Sequence, residues 1–154
     1  SAVNTAERWL DIAKKDAEAL TTERDLEERT AALRTMGLQP GDAIPNNMKS
    51  DLKALEEAQK RRATRSLRDG IDRILVDLLS LYRDVLTLQI DAQTPLINAE
   101  LTAQISEAAQ ATTAAQTIEK LEAIAQARLR IDRNVRDLMV LESLGVSLRI
   151  KRSA

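Results

Sequence analysis

The stretch from Gln59 to Leu88 constrains this chain most. A basic block, Lys60-Arg61-Arg62-Ala63-Thr64-Arg65-Ser66-Leu67-Arg68, runs without a proline into the apolar Ile71-Asp72-Arg73-Ile74-Leu75-Val76-Asp77-Leu78-Leu79-Ser80-Leu81-Tyr82-Arg83-Asp84-Val85-Leu86. Both halves read as one long helix that starts solvated and ends inside a core. Such a helix ties an extended arm to a packed bundle, an arrangement commoner in scaffolds than in enzymes.

The core must be aliphatic, since 22 Leu stand against one Trp, one Tyr and no Phe. Long Leu and Ala runs favour helix over strand. At 154 residues the chain has the size of a single domain that buries roughly two thirds of its unfolded surface. A formal charge of -1, from 23 basic and 24 acidic residues, gives no bulk attraction to polyanions, so any such binding is local. The absence of Cys and His excludes disulfides, thiolate chemistry and Cys/His zinc sites, and removes the commonest general base. That fits a reducing cytoplasm. No apolar run approaches the about 20 residues of a membrane span. Ser1-Ala2-Val3-Asn4 lacks the pattern of a signal peptide; Ser1-Ala2 reads as a cloning remnant and the start without Met as a fragment of a longer protein.

Asn4 and Glu7 have capping-box spacing, which predicts a first helix from about Thr5 to Thr35 with Trp9, Leu10, Ala13, Ala17, Leu20 and Ala31 on its inner stripe. Asp11 with Lys15 and Asp25 with Arg29 form pairs at helical spacing, each contributing about 0.2 to 0.5 kcal/mol. Residues 36–47 hold two of the four Gly and two of the three Pro and read as a loop. Asn46 or Asn47 then caps a second helix from Met48 to about Ile90, with Glu56-Lys60 and Glu57-Arg61 pairs along it. Gly70, inside that helix at a cost of about 1 kcal/mol relative to Ala, marks a bend or a close helix contact. Asp91 to Pro95 ends it, and Asn98 caps a third helix carrying Leu101, Ile105 and Ala108. Thr113 and Gln116 open a fourth as a capping box. Ile118, Leu121, Ile124, Ile131, Val135 and Leu138 then fall on a helical stripe, with Arg128 in one of its slots; Leu141, Leu144 and Leu148 extend it, with a break near Arg133-Asn134. The expected fold is all-α: about five helices, a long antiparallel helical hairpin (arm, 3–67) plus a compact C-terminal bundle (68–151).

On a helical wheel Arg61, Arg65 and Arg68 share one side, roughly opposite Ile71 and Ile74 at about 100° per residue. That stripe can grip phosphates or an acidic partner, or it can be a solvated face neutralised by Asp69 and Asp72. No aromatic is interleaved, so stacking on single strands is unsupported. Adjacent carboxylates such as Glu27-Glu28 and Glu56-Glu57 diverge by about 100° on a helix, and no catalytic, metal or cofactor residue emerges. Arg128 in the apolar stripe demands a compensating group, supplied by a subunit interface, by internal pairing, for instance with Glu142, or by snorkelling. Tyr82 reads as a core residue with its hydroxyl at the edge.

Leu81-Tyr82-Arg83-Asp84-Val85-Leu86-Thr87-Leu88-Gln89-Ile90, then Leu96-Ile97-Asn98, Ala127-Arg128-Leu129, Arg133-Asn134-Val135 and Leu141-Glu142-Ser143-Leu144, resemble the C-terminal domain of the bacterial DNA polymerase III delta-prime subunit. Arg62-Ala63-Thr64-Arg65-Ser66-Leu67-Arg68-Asp69 is similar to the actinobacterial form. The resemblance runs from about Glu56 to Arg149 and is looser before it. It implies a collar domain that packs against the collars of the tau or gamma and delta subunits in a five-membered clamp loader, holding an AAA+ module in its ring. It also implies no catalysis or cofactor in this segment, no small-molecule substrate, no membrane, and DNA touched only indirectly. The phosphate-binding loop, arginine finger and zinc cysteines of that family are absent here. Candidate subunit contacts are Arg128, Asn134, Val135 and Arg136. Where relatives often place Pro after Asn-Val, this chain has Arg136-Asp137, which predicts a continuous final helix. The rival readings are a helical scaffold that self-associates through Val3 to Thr35 and Met48 to Leu67, and a nucleic-acid binder using Arg61, Arg65 and Arg68.

Overall fold

The computed structural model describes residues 2–133 and 137–148. Among them five α-helices follow one another with no strand: α1 (Ala2–Thr35), α2 (Lys49–Gln89), α3 (Thr102–Ala111), α4 (Ala114–Asp132) and α5 (Asp137–Leu148). The all-α class is as the sequence predicts. No helix among the described residues is long and apolar enough to cross a membrane. The chain divides into two compact units, one of residues 12–70 and one made of the residues up to 11 together with those from 71 onward.

In the 12–70 unit α1 and α2 run antiparallel. Arg29 meets Glu56, Asp25 meets Gln59 and Arg62, and Ala13 meets Gly70, so numbers fall along one helix as they rise along the other. A Cβ added to Gly70 would lie 3.6 Å from the Ala13 carbonyl oxygen and 3.8 Å from the Ala13 Cβ, so the glycine marks a close helix contact. The buried α1 positions Ala13, Ala17 and Thr21 step by four, along the i±4 ridge that helix pairs interdigitate. Following that ridge corrects the expected stripe: Leu20 is 66% exposed and Ala31 is exposed, while Thr21 and Leu33 are buried. Thr21 tolerates burial because its hydroxyl donates to the Ala17 carbonyl at 2.8 Å.

The hairpin's ends also differ from expectation in detail. α1 begins at Ala2, which puts Asn4 inside the helix and not at its cap. Asn46 and Asn47 lie within a 3-10 turn, Asn46–Met48, ahead of α2. The C-terminus of α1 closes as a Schellman motif: Gly37 N–H donates to Arg34 O at 3.0 Å and Leu38 N–H to Leu33 O at 2.8 Å, with Gly37 at φ 76.

In the other unit Ile71, Leu75 and Val85 of α2, Ile105 of α3, Ile124, Ala127 and Ile131 of α4, and Val140, Leu141 and Leu144 of α5 are buried as the core. Full burial of each Leu or Ile contributes roughly 1.5 to 3 kcal/mol. α2 ends with the same motif as α1, Ala92 N–H donating to Thr87 O at 3.0 Å and Asp91 N–H to Leu88 O at 3.2 Å, with Asp91 at φ 53. Asp is among the few residues besides Gly that adopt that conformation readily. Gln89 Nε2 donates to Thr112 O at 3.0 Å, joining the last turn of α2 to the end of α3. α4 opens with the expected capping box, Gln116 N–H to Thr113 Oγ1 at 3.2 Å and Thr113 N–H to Gln116 Oε1 at 2.9 Å.

The inner face of α4 is Thr117, Lys120, Ile124, Ala127 and Ile131. It is rotated from the predicted stripe, so Ala127 takes the inward slot assigned to Arg128, and Ile118 is 44% exposed. α4 stops at Asp132, where Arg133 N–H bonds back to Leu129 O and Arg130 O, and α5 starts at Asp137. The helical assignment of α4 thus ends one residue before Arg133, while Asn134, Val135 and Arg136, on which the expected break and the expected continuous final helix both turn, lie outside the described residues.

Candidate functional site

Helical spacing of 61, 65 and 68 predicts a shared face, and α2 delivers it. Lys60, Arg61, Thr64, Arg65 and Arg68, with Glu57, line an open groove of about 420 Å³. Arg61 and Arg65 are exposed and make no ion pair with the described residues. Glu57 is the one carboxylate in the lining. One of the two acids expected to neutralise the stripe is engaged elsewhere: Asp72 receives Arg128 in a two-pronged pair, Nε to Oδ1 at 2.6 Å and Nη2 to Oδ2 at 3.1 Å.

Arg128 thus finds its carboxylate within the chain, at Asp72 and not at Glu142, with 40% of its side chain exposed. The Asp72 hydrogen bond pushes the guanidinium pKa up against the opposing effect of burial. Asn134, Val135 and Arg136 lie outside the described residues.

Arg62, one residue from Arg61 and so about 100° around the helix, turns toward α1 and bonds both Asp25 and Glu28. The Glu28 bond is the main reason its guanidinium pKa is raised, and the same bond holds the Glu28 carboxyl below the usual range. The predicted intrahelical pairs are replaced here: Asp25 pairs with Arg62, and Arg29 pairs with Glu56 at 3.0 Å. Two antiparallel helices present opposite charges to one another, and the pairs form across the seam.

Asp84 is fully buried. Its Oδ1 accepts from the Ile97 N–H at 2.9 Å and from Arg83 Nη1 at 3.0 Å; its Oδ2 accepts from the Asn98 N–H at 2.7 Å and from Asn98 Nδ2 at 2.9 Å. Burial pushes the carboxyl pKa up, but these four bonds outweigh it and hold the group below its ordinary value. Asn98 is thereby drawn to Asp84 and to Ser80 Oγ, at 3.2 Å, and does not cap the following turn. Lys120 is buried with its ammonium 5.5 Å from the centre of the half-buried Tyr82 ring. Burial lowers the lysine pKa and raises that of the tyrosine.

Three of these residues escape a reading of the sequence. Asp84 had a signal: like Arg128 it is a charge inside an apolar run. Lys120 sits four residues before Ile124 and seven before Ala127, a spacing that matters only once the helix rotation is known. Arg62 is indistinguishable by type from its neighbours in the basic block. These pairs tie segments of the chain together, and among the described residues no group of three or more Asp, Glu, Cys or His is placed to hold a metal. No family model, no curated protein and no solved structure matches this chain.

Proposed function

We propose that this chain is an assembly module, a helical collar of the kind found at the C-terminus of the clamp-loader delta-prime subunit, which mounts an AAA+ module beside the tau or gamma and delta subunits. Its role is mechanical: it keeps subunits together while nucleotide chemistry elsewhere rearranges them around the sliding clamp. The residue-level resemblance over Glu56 to Arg149 suggests the partners. The observation that carries the assembly reading is on α4, where polar Thr117 and Lys120 face inward while Ile118, Ala125 and Leu129 are exposed at seven- and four-residue steps. Those steps keep the three within about 20° of one line along the helix. A helix that buries a lysine and exposes an aliphatic line suits burial against a further partner.

Co-elution with purified clamp-loader subunits tests this reading. The chain is expected to co-elute with at least one of tau, gamma or delta, and Ile118→Asp combined with Leu129→Asp is expected to abolish that without changing helicity. Failure to co-elute with any of them removes the clamp-loader assignment. A concentration-dependent homodimer in sedimentation would then favour the self-associating scaffold.

A further inference from the structure

We infer that the α2 groove lined by Lys60, Arg61, Arg65 and Arg68 binds the phosphate backbone of duplex nucleic acid, without reading its sequence. No carboxylate interrupts the chain from Lys60 to Arg68, and Glu57 is the one carboxylate among the residues that line the groove. Arg62, Arg29, Arg83 and Arg128 are each committed to a carboxylate of this chain. Arg61 and Arg65 differ from them, being exposed with no ion pair to the described residues, and Asp72 is held by Arg128.

The shape of the ligand follows from the spacing. At about 1.5 Å per residue, positions 61 to 68 cover about 10 Å of helix, a length over which one strand of a duplex carries about three phosphates. Guanidinium groups present forked donors that match phosphate oxygens. The groove lining contains no aromatic side chain, which disfavours single strands read by stacking, and no apolar side chain, which disfavours insertion into a bilayer. An evenly repeated line of anions is a property of a nucleic-acid backbone more than of a folded acidic protein. This site is independent of the assembly reading, since a collar and a free-standing scaffold can both carry it.

Fluorescence anisotropy of a labelled mixed-sequence duplex with the full chain, titrated between about 50 and 200 mM salt, tests the site. Each phosphate contact contributes about 0.9 to the slope of log affinity against log salt, so Arg61→Ala with Arg65→Ala is expected to reduce that slope by about 1.8. Helicity should be unchanged, because neither arginine holds another described residue. Neutralising the exposed Lys14 and Lys15 on α1 should leave the slope where it was. Absence of duplex binding at the lowest salt, or a slope indifferent to the double substitution, overturns the proposal. So does displacement of the duplex by polyglutamate at equal charge, which would reassign the groove to an acidic protein.

Discussion

At Asp84 a carboxylate with no solvent exposure accepts hydrogen bonds from two backbone amides, one side-chain amide and one guanidinium. The segment it holds, after the end of α2, has few backbone partners of its own, so the carboxylate takes the place of a helix or ladder. Asp84→Ala leaves the Ile97 and Asn98 amides without their acceptor and is expected to cost about 2 to 4 kcal/mol, read as a lower urea midpoint at unchanged m-value. The pH dependence has a definite sign. The folded pKa lies below the unfolded one, near about 3.9, so the stabilisation is present above that value and is lost as pH falls through the lower folded pKa. Asp84→Asn should therefore weaken the fold at pH 7 and flatten its acid limb below about pH 4 in urea titrations. Lys120 has the opposite balance, because burial disfavours its charge and the Tyr82 face returns about 1 to 2 kcal/mol. Lys120→Met retains the packed stem and should leave stability within about 1 kcal/mol of the parent.

The helices differ in what makes them stop and what lets them meet. Gly70 sits where α2 crosses Ala13, and a methyl there would make ordinary van der Waals contact. Gly70→Ala should therefore stabilise by about 0.5 to 1 kcal/mol through helix propensity, whereas Gly70→Leu, whose larger side chain must displace α1, should destabilise; paired thermal melts separate the two. Thr113→Ala, which removes one half of the α4 capping box, should cost about 1 kcal/mol. Across the hairpin, Arg62→Met leaves Asp25 and Glu28 facing each other without their shared cation. Faster amide exchange in the middle of α1 is the expected signature. Where a helix ends was largely legible, because Gly and capping-box residues act locally: the Gly-Pro loop and the Thr113 start both lie where the sequence puts them. Asn4, Asn46, Asn47 and Asn98 misled because a capping residue type is common and its hydrogen bond depends on the surrounding chain.

Across the described residues, aliphatic side chains such as Ile97, Leu129 and Val146 remain exposed at 61%, 50% and 62%. As a collar, the chain is expected to have part of that surface covered by partner subunits and to be monomeric alone in sedimentation at micromolar concentration, becoming larger only with partners. A dimer of the isolated chain would contradict the collar reading. The sequence by itself determined the helical class, the number of helices, the loop at 36–47 and the shared face of Arg61, Arg65 and Arg68. Each of these follows from local propensity and a period of about 3.6, which need no knowledge of neighbours. Only the tertiary structure decided that Thr21 and not Leu20 turns inward, that Ala127 displaces Arg128 from the core face, that Arg62 crosses to Asp25 and Glu28 of α1, and that Asp84 anchors a segment. Those choices depend on the crossing of helix against helix. A rotation of one residue, about 100°, exchanges a buried side chain for an exposed one without altering the hydrophobic pattern along the chain.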